Sequence, residues 1–154
     1  MPGLHTIGFH PAVAIPLIAG LLFGPAEGFI VGAAGSMIAG LLIDGGISWN
    51  WDLGYGVMGL VAGLPLWARP SPFGGGQGGG LVGAGFVIIA SAIAITAGIG
   101  FAALSDVLVA SLPVDAAIDR EWFAAARWDL LWGVPLALIA LVGYRLLAQR
   151  REQR

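Results

Sequence analysis

FGPAEGFIVGAAGSMIAGLLID, residues 23–44, has the hydrophobicity of a membrane helix but begins with a glycine-proline break. Proline does not continue a helix that precedes it, but it fits the first turn of a new helix. Glu27 follows this break, where the helix dipole favours a carboxylate. Small residues then recur at four-residue steps, at Gly28, Gly32, Ser36 and Gly40. The stretch predicts two short, closely packed helices that meet at Gly24-Pro25, with Glu27 capping the second.

The whole chain shares this apolar character. Its 154 residues are 58% hydrophobic and 10% charged, with 26 glycines, and its mean hydropathy is +0.89. Soluble domains carry about 25% charged residues, so the outer surface is expected to face lipid. A net charge of −2 without any lysine leaves no basic patch for phosphates, which argues against nucleic-acid binding. The absence of cysteine excludes disulfides and thiolate metal sites.

Sparse charges divide the chain into membrane segments. A helix that crosses the hydrocarbon core needs about 20 residues, and only the last two apolar runs reach that length. Short spans that contain glycine and proline are typical of helices packed within a bundle. We predict an all-α membrane protein with one domain, residues 1–154, and a compact bundle of about five transmembrane helices. The helices are placed near residues 12–23, 26–43, 52–67, 82–106 and 127–147.

The arginines set the expected orientation. Arg69 begins the glycine-rich segment 69–80, and further arginines fall in the C-terminal tail 148–154. Because positive charge favours the cytoplasmic side, both segments are predicted there. Alternation of the spans then places the N-terminus, residues 44–52 and the predicted loop 107–126 outside.

The predicted outer segments hold most of the polar and aromatic side chains. Residues 49–52, WNWD, combine two rings, an amide and an acid, and Trp132 lies one turn from Trp128 on one helix face. One interpretation is a tryptophan belt at the headgroup layer. The other is a pocket in which rings stack on a flat ligand and polar groups bond to it. The candidate substrate-binding residues are Trp49, Asn50, Trp51, Asp52, Trp128, Asp129, Trp132 and His5.

Ladders of small residues occur on three of the predicted helices. Small residues at this spacing let helix backbones approach closely inside lipid. Two interpretations stay open: internal packing of the bundle, or an external face for another membrane subunit. The residues concerned are Gly28, Gly32, Ser36, Gly56, Gly59, Gly63, Ala90 and Ala94.

No catalytic motif is found in the sequence. HExxH, GxSxG and the GxxxxGK[ST] phosphate loop are all missing, and His5 with His10 is too small a set for a metal site. We therefore predict a protein that is not an enzyme and binds no cofactor directly. Any uphill transport would draw on an ion gradient or on a separate ATPase.

The N-terminal part of the chain, residues 1–67, resembles a known family. LLFGPAEGFIVGAAGSMIAGLLID followed by WNWDLGYGVMGLVAGL is similar to the substrate-binding (S) components of energy-coupling factor (ECF) transporters. The shared pattern is the Gly24-Pro25 turn, the small-residue ladder, Asp44 at its end, and the glycines of the next helix.

The resemblance implies a function, partners and a location. It implies a non-catalytic subunit that binds a vitamin or similar micronutrient near the outer face of a prokaryotic cell membrane. The implied partners are a coupling transmembrane subunit and two cytoplasmic ATPase subunits, which consume ATP. Family members usually have six helices, so this chain would lack the usual first one.

Two other classes of function stay open. In a structural or assembly subunit of a membrane complex, the glycine faces would be the function and the tryptophans would mark the interface. A solitary ion-coupled carrier would need a titratable residue buried within the membrane. The predicted span interiors contain none.

Overall fold

The computed structural model describes residues 11–68 and 81–152, and no strand occurs in these two ranges. The predicted site residue His5, His10 and the whole of the predicted loop 69–80 lie outside them. A 3-10 turn, Pro11–Val13, leads into five helices. They are α1 (Ala14–Phe23), α2 (Pro25–Ala39, ending in the π-helical turn Gly40–Asp44), α3 (Trp49–Ala68), α4 (Leu81–Val109) and α5 (Val114–Ala116, the π-helical Ala117–Trp122 and Phe123–Glu152).

The glycine-proline break separates α1 from α2. Gly24 has φ 118° and ψ 175°, a conformation that favours glycine, and its N–H donates to the carbonyl of Gly20 at 3.0 Å. Pro25 then opens α2, as proline does at a first helical position. No side-chain hydrogen bond caps the helix at Gly24. Glu27 is exposed in the first turn, so it acts on the helix through the dipole.

Four of the helices form a ring, with α2 outside it. In order around the ring, α1 packs on α3, α3 on α4, α4 on α5, and α5 on α1, while α2 packs on α1 and α3. Helices α3 and α5 therefore face each other across the ring without packing along their length. The interior is apolar, and its fully buried side chains include Leu17, Leu21, Met58, Ile95 and Ile99.

The small-residue ladders lie inside the bundle. A Cβ atom on Gly59 would overlap the carbonyl oxygen of Gly28, and one on Gly32 would overlap that of Tyr55. Backbones of α2 and α3 are thus in direct contact, which only glycine permits at these points. The other ladder residues also have neighbours within the chain: Gly56 lies against Phe29, Gly63 against Gly24-Pro25, and Ala90 and Ala94 are buried on α4.

Two helix boundaries differ from those predicted. Helix α3 begins at Trp49 rather than near residue 52, because the Asp52 N–H donates to the Ser48 carbonyl at 2.9 Å and closes a first turn over WNWD. Helix α4 continues past the predicted end at 106 to Val109. There the N–H groups of Ala110 and Leu112 both donate to the backbone carbonyl of Asp106.

The segment 107–126 is not the single outer loop that was predicted. Pro113, with φ −59° and ψ 141°, starts a new helix at Val114 that continues to Glu152. Proline suits a helix start, and the alanines that follow favour helix. The predicted span 127–147 is therefore the middle of a longer helix. Residues 148–152 of the predicted tail are helical too.

Within residues 11–68 and 81–152, three helical stretches are long and apolar enough to cross a membrane: Pro25–Ile43, Gly83–Val109 and Val114–Leu147. Pro11–Phe23 is a shorter apolar helix. Large apolar side chains point away from the bundle on these helices, among them Ile30, Ile38, Leu42, Ile89 and Ile139. Such a surface suits lipid rather than water. The all-α membrane architecture predicted from the sequence is confirmed.

Candidate functional site

The start of α3 is tied to the end of α4 by one carboxylate. Asn50 donates from Nδ2 to Oδ1 of Asp106, and Trp51 donates from Nε1 to Oδ2 of the same side chain, both at 2.9 Å. Asn50 is only 5% exposed. Both oxygens of Asp106 thus hold neighbouring residues of the WNWD segment, and charge-assisted bonds of this kind are strong. The arrangement fixes the first turn of α3 against α4.

The π-helical part of α5 covers the same end of the bundle. The Glu121 carboxyl group lies close to the Asp106 carboxyl group. Trp122 donates from Nε1 to the backbone carbonyl of Thr96 at 3.2 Å. Its ring lies beside Gly100. Helices α3, α4 and α5 therefore meet around Asp106.

A second polar contact involves the next residue of α3, Asp52. Ser36 on α2 donates from Oγ to Oδ1 of Asp52 at 2.7 Å. Asp52 is 4% exposed, and its Oδ2 atom is buried without a hydrogen-bond partner. Ser36, which was predicted as a packing residue, thus also donates a hydrogen bond to Asp52, a predicted site residue.

Asp129 extends from α5 toward the same region. It is 3% exposed, and its Oδ2 atom is also buried without a partner. Asp52 and Asp129 both lie within electrostatic range of the half-buried Tyr55 on α3. Asp52 lies on the same helix as Tyr55 and is bonded to α2, whereas Asp129 belongs to α5.

The predicted tryptophans have different environments. Trp49 is 51% exposed, as expected for a ring at a membrane interface. Trp128 is half-buried, and its Nε1 atom is buried without a partner. The Arg127 guanidinium lies 5.8 Å from the centroid of the Trp128 ring. Trp132 is half-buried further along α5.

Three residues of this region were not among the sequence candidates: Tyr55, Asp106 and Glu121. Asp106 is the single acid between Asp52 and Asp115 and ends a long apolar run. An acid at the edge of a membrane helix is a functional signal by default, so Asp106 could have been found. From the sequence we also predicted that the interiors of the spans contain no titratable residue. This prediction is wrong, because Asp52 and Asp129 are buried within helices.

Removing the Asp106 carboxylate should loosen the joint between α3 and α4. Asp106→Ala leaves the Asn50 and Trp51 donors unpaired, and a hydrogen bond to a charged group is worth about 1.5–3 kcal/mol. We expect the free energy of unfolding in detergent to fall by about 2 kcal/mol, as measured by thermal denaturation. Asp106→Asn keeps one acceptor and should therefore lower the free energy of unfolding by less. Asp115→Ala, which replaces an exposed acid, should not change it. Equal stability of all three variants would contradict this role.

Comparison with known proteins identifies the family. The family model described as the ECF-type riboflavin transporter, S component, matches residues 2–150. The chain belongs to this family. The S-component resemblance of residues 1–67 is thereby confirmed, and the match extends over α4 and α5.

Curated relatives of this S component match over a shorter stretch. A UPF0397 protein of Onion yellows phytoplasma (strain OY-M) is 37% identical over 65 residues, which cover 42% of this chain and 35% of the relative. A UPF0397 protein of Vibrio atlanticus (strain LGP32) is 36% identical over 64 residues, with the same two coverages. The matched stretch therefore spans about a third of the length of these relatives. No solved structure matches the chain.

Proposed function

We propose that this S component is the membrane-embedded substrate-binding subunit of an ECF-type ABC transporter that takes up a vitamin or similar micronutrient. The observation that carries the proposal is the convergence of polar and aromatic side chains from three helices at one end of an apolar bundle. Asn50, Trp51 and Asp52 come from α3, Asp106 from α4, and Asp129 from α5. Binding sites in helical bundles are built in this way, from a few directed polar groups on an apolar scaffold.

The proposed orientation places this end of the bundle outside the cell. The opposite end carries Arg145 and Arg150, near the C-terminus of α5, and positive charge favours the cytoplasm. A solute would enter from outside and meet the polar groups first. The coupling transmembrane subunit and two cytoplasmic ATPase subunits would supply the energy from ATP, since no phosphate-binding motif occurs in this chain.

The assembly-subunit alternative depended on the glycine faces. The ladder glycines Gly28, Gly32 and Gly59 contact backbone within the bundle, so their small size is accounted for without a partner. A surface for another subunit would have to come from the exposed apolar side chains of helices such as α2, α4 and α5. The binding proposal also accounts for the polar side chains at one end of the bundle, and we therefore prefer it.

The test is mass spectrometry of the small molecules that co-purify with the detergent-solubilised protein. We expect a stoichiometric compound with the wild-type chain. It should be absent from the double variant Trp51→Ala/Asp52→Ala, which removes a ring and an acid of the site. The exposed acid Asp119 provides the matched control, because Asp119→Ala removes a carboxylate outside the site. Recovery of no compound from the wild-type chain, or of equal amounts from all three proteins, would contradict the proposal.

A further inference from the structure

We propose that one acyl chain of a zwitterionic phospholipid binds in a groove between α4 and the first part of α5. The groove lies at the end of the bundle that the proposed orientation places outside, so the lipid belongs to the outer leaflet. This inference goes beyond the proposed function and uses it only to assign the leaflet.

A cavity lies where the π-helical part of α5 packs on the end of α4. Its volume is about 160 Å³. The one polar side-chain atom among its lining residues, Nε1 of Trp122, already donates to the Thr96 carbonyl at 3.2 Å. A water-soluble solute would therefore lose its hydrogen bonds here without replacement. The cavity is lined by Gly100, Ala103, Leu104, Ala117, Ile118 and Trp122.

A shallow groove follows the cavity along the same face of α4. It is lined by Ala92, Ile93, Thr96 and Ala97. These residues and the cavity residues Gly100 and Leu104 recur at three- and four-residue steps, so they share one helix face. Ala92 and Leu104 are about 18 Å apart along the helix at 1.5 Å per residue. One leaflet of the hydrocarbon core is about 15 Å thick, half of about 30 Å. The length of the groove thus suits one extended acyl chain.

The position of this face determines the chemistry of its occupant. The stretch Gly83–Val109 of α4 is long and apolar enough to cross the membrane. On the grooved face, Ile93 is 57% and Leu104 54% exposed, so the face is open to the surroundings of the bundle. Inside a bilayer those surroundings are acyl chains. The lining of an empty cavity loses its dispersion contacts, and a chain that enters it restores them.

Gly100 provides the space for the chain. A Cβ atom added at this position would meet only the Trp122 ring, no closer than 3.5 Å. The ladder glycines Gly28 and Gly59 are different, because each contacts the backbone of the other's helix. Glycine in a helix interior costs about 1 kcal/mol relative to alanine, and backbone packing does not account for it at Gly100. An occupant of the cavity does.

Charges of both signs lie at the outer mouth of the cavity. The stretch Val114–Leu147 has 34 residues and is about 51 Å long, so its ends extend beyond the hydrocarbon core. Asp115, Asp119 and Arg120 are exposed within one turn of Ile118. The ammonium of a zwitterionic headgroup can pair with the acids and its phosphate with the arginine. The carboxylate of a free fatty acid would instead be repelled by the two acids.

Native mass spectrometry during a lipid titration tests the inference. The full chain, freed of lipid in detergent, is titrated with dipalmitoyl phosphatidylethanolamine. We expect one phospholipid to bind per chain in a saturable way, and palmitate at equal concentration not to displace it. Gly100→Leu fills the cavity and should raise the half-saturating concentration about tenfold. Gly85→Leu is the matched control on α4, because a Cβ there meets nothing within 4 Å, and it should not change binding.

Leu104→Trp provides a second variant at an exposed position, so the test stands even if Gly100→Leu does not fold. It blocks the outer end of the cavity and should weaken binding too. Binding of phospholipid without saturation, or its displacement by palmitate, would overturn the inference. So would folded cavity variants that bind phosphatidylethanolamine as well as Gly85→Leu does. If those variants also lost the coupling membrane subunit in native membranes, the face would belong to a protein partner instead.

Discussion

Replacement of Gly59 by leucine should abolish the cooperative unfolding transition of the purified protein. A single Cβ at this position already overlaps the carbonyl oxygen of Gly28, so a leucine would force α2 away from α3. Overpacking in a core costs about 1–3 kcal/mol and occasionally more. Here the obstacle is backbone on a neighbouring helix, which cannot rotate aside, so we expect a loss of about 3 kcal/mol or more. This loss of stability is measured by circular dichroism while the protein is heated in detergent.

Gly35 supplies the matched control for this variant. It lies on α2 like Gly28, and a Cβ added to it meets nothing within 4 Å. Gly35→Leu should therefore leave Tm close to that of the wild-type chain. A Gly59→Leu protein that unfolds at the same temperature as Gly35→Leu would show that the contact between α2 and α3 is not as close as described.

Asp129→Ala should greatly weaken ligand binding and still leave the ligand-free protein at least as stable as the wild-type chain. Its carboxylate is buried with an unpartnered oxygen, and removal of an uncompensated buried charge relieves an unfavourable interaction. Loss of one partner from a buried charged contact costs about 2–5 kcal/mol, so affinity for the co-purifying compound should fall about a hundredfold.

Two measurements on the same samples separate function from structure. Calorimetric titration with the co-purifying compound gives the affinity, and thermal unfolding without it gives the stability. Asp119→Ala, at an exposed position of the same helix, should change neither. If Asp129→Ala lowered Tm by several degrees and its affinity loss followed from misfolding, Asp129 would be a structural residue.

Local signals in the sequence predicted much of the bundle. The break at Gly24-Pro25 and the four-residue spacing of Gly28 and Gly32 involve residues that are close together in the chain. Such short-range patterns determine local helix structure directly, so they could be interpreted from the sequence. The helical continuation through 107–126 was missed because its acids and Arg120 resemble a solvated loop. Its place over α4 depends on a distant contact, that of Trp122 with Thr96.

The candidate site was predictable in outline but not in its pairing. WNWD is unusual by composition alone, so Asn50, Trp51 and Asp52 were predicted as candidates. Their partner Asp106 lies 56 residues from Asn50 in the chain, and only the register of α3 against α4 brings them together. Tyr55 was missed for the same reason, because a tyrosine in an apolar helix gives no sign that Asp129 lies within electrostatic range of it.

The measurement that tests the central claim most directly is native mass spectrometry of the chain purified from its own host's membranes in mild detergent. The account predicts one small molecule bound per chain, together with a coupling membrane subunit and a pair of ATPase subunits in the same complex. A chain that carries no small molecule and is recovered within a membrane complex without ATPases would contradict it.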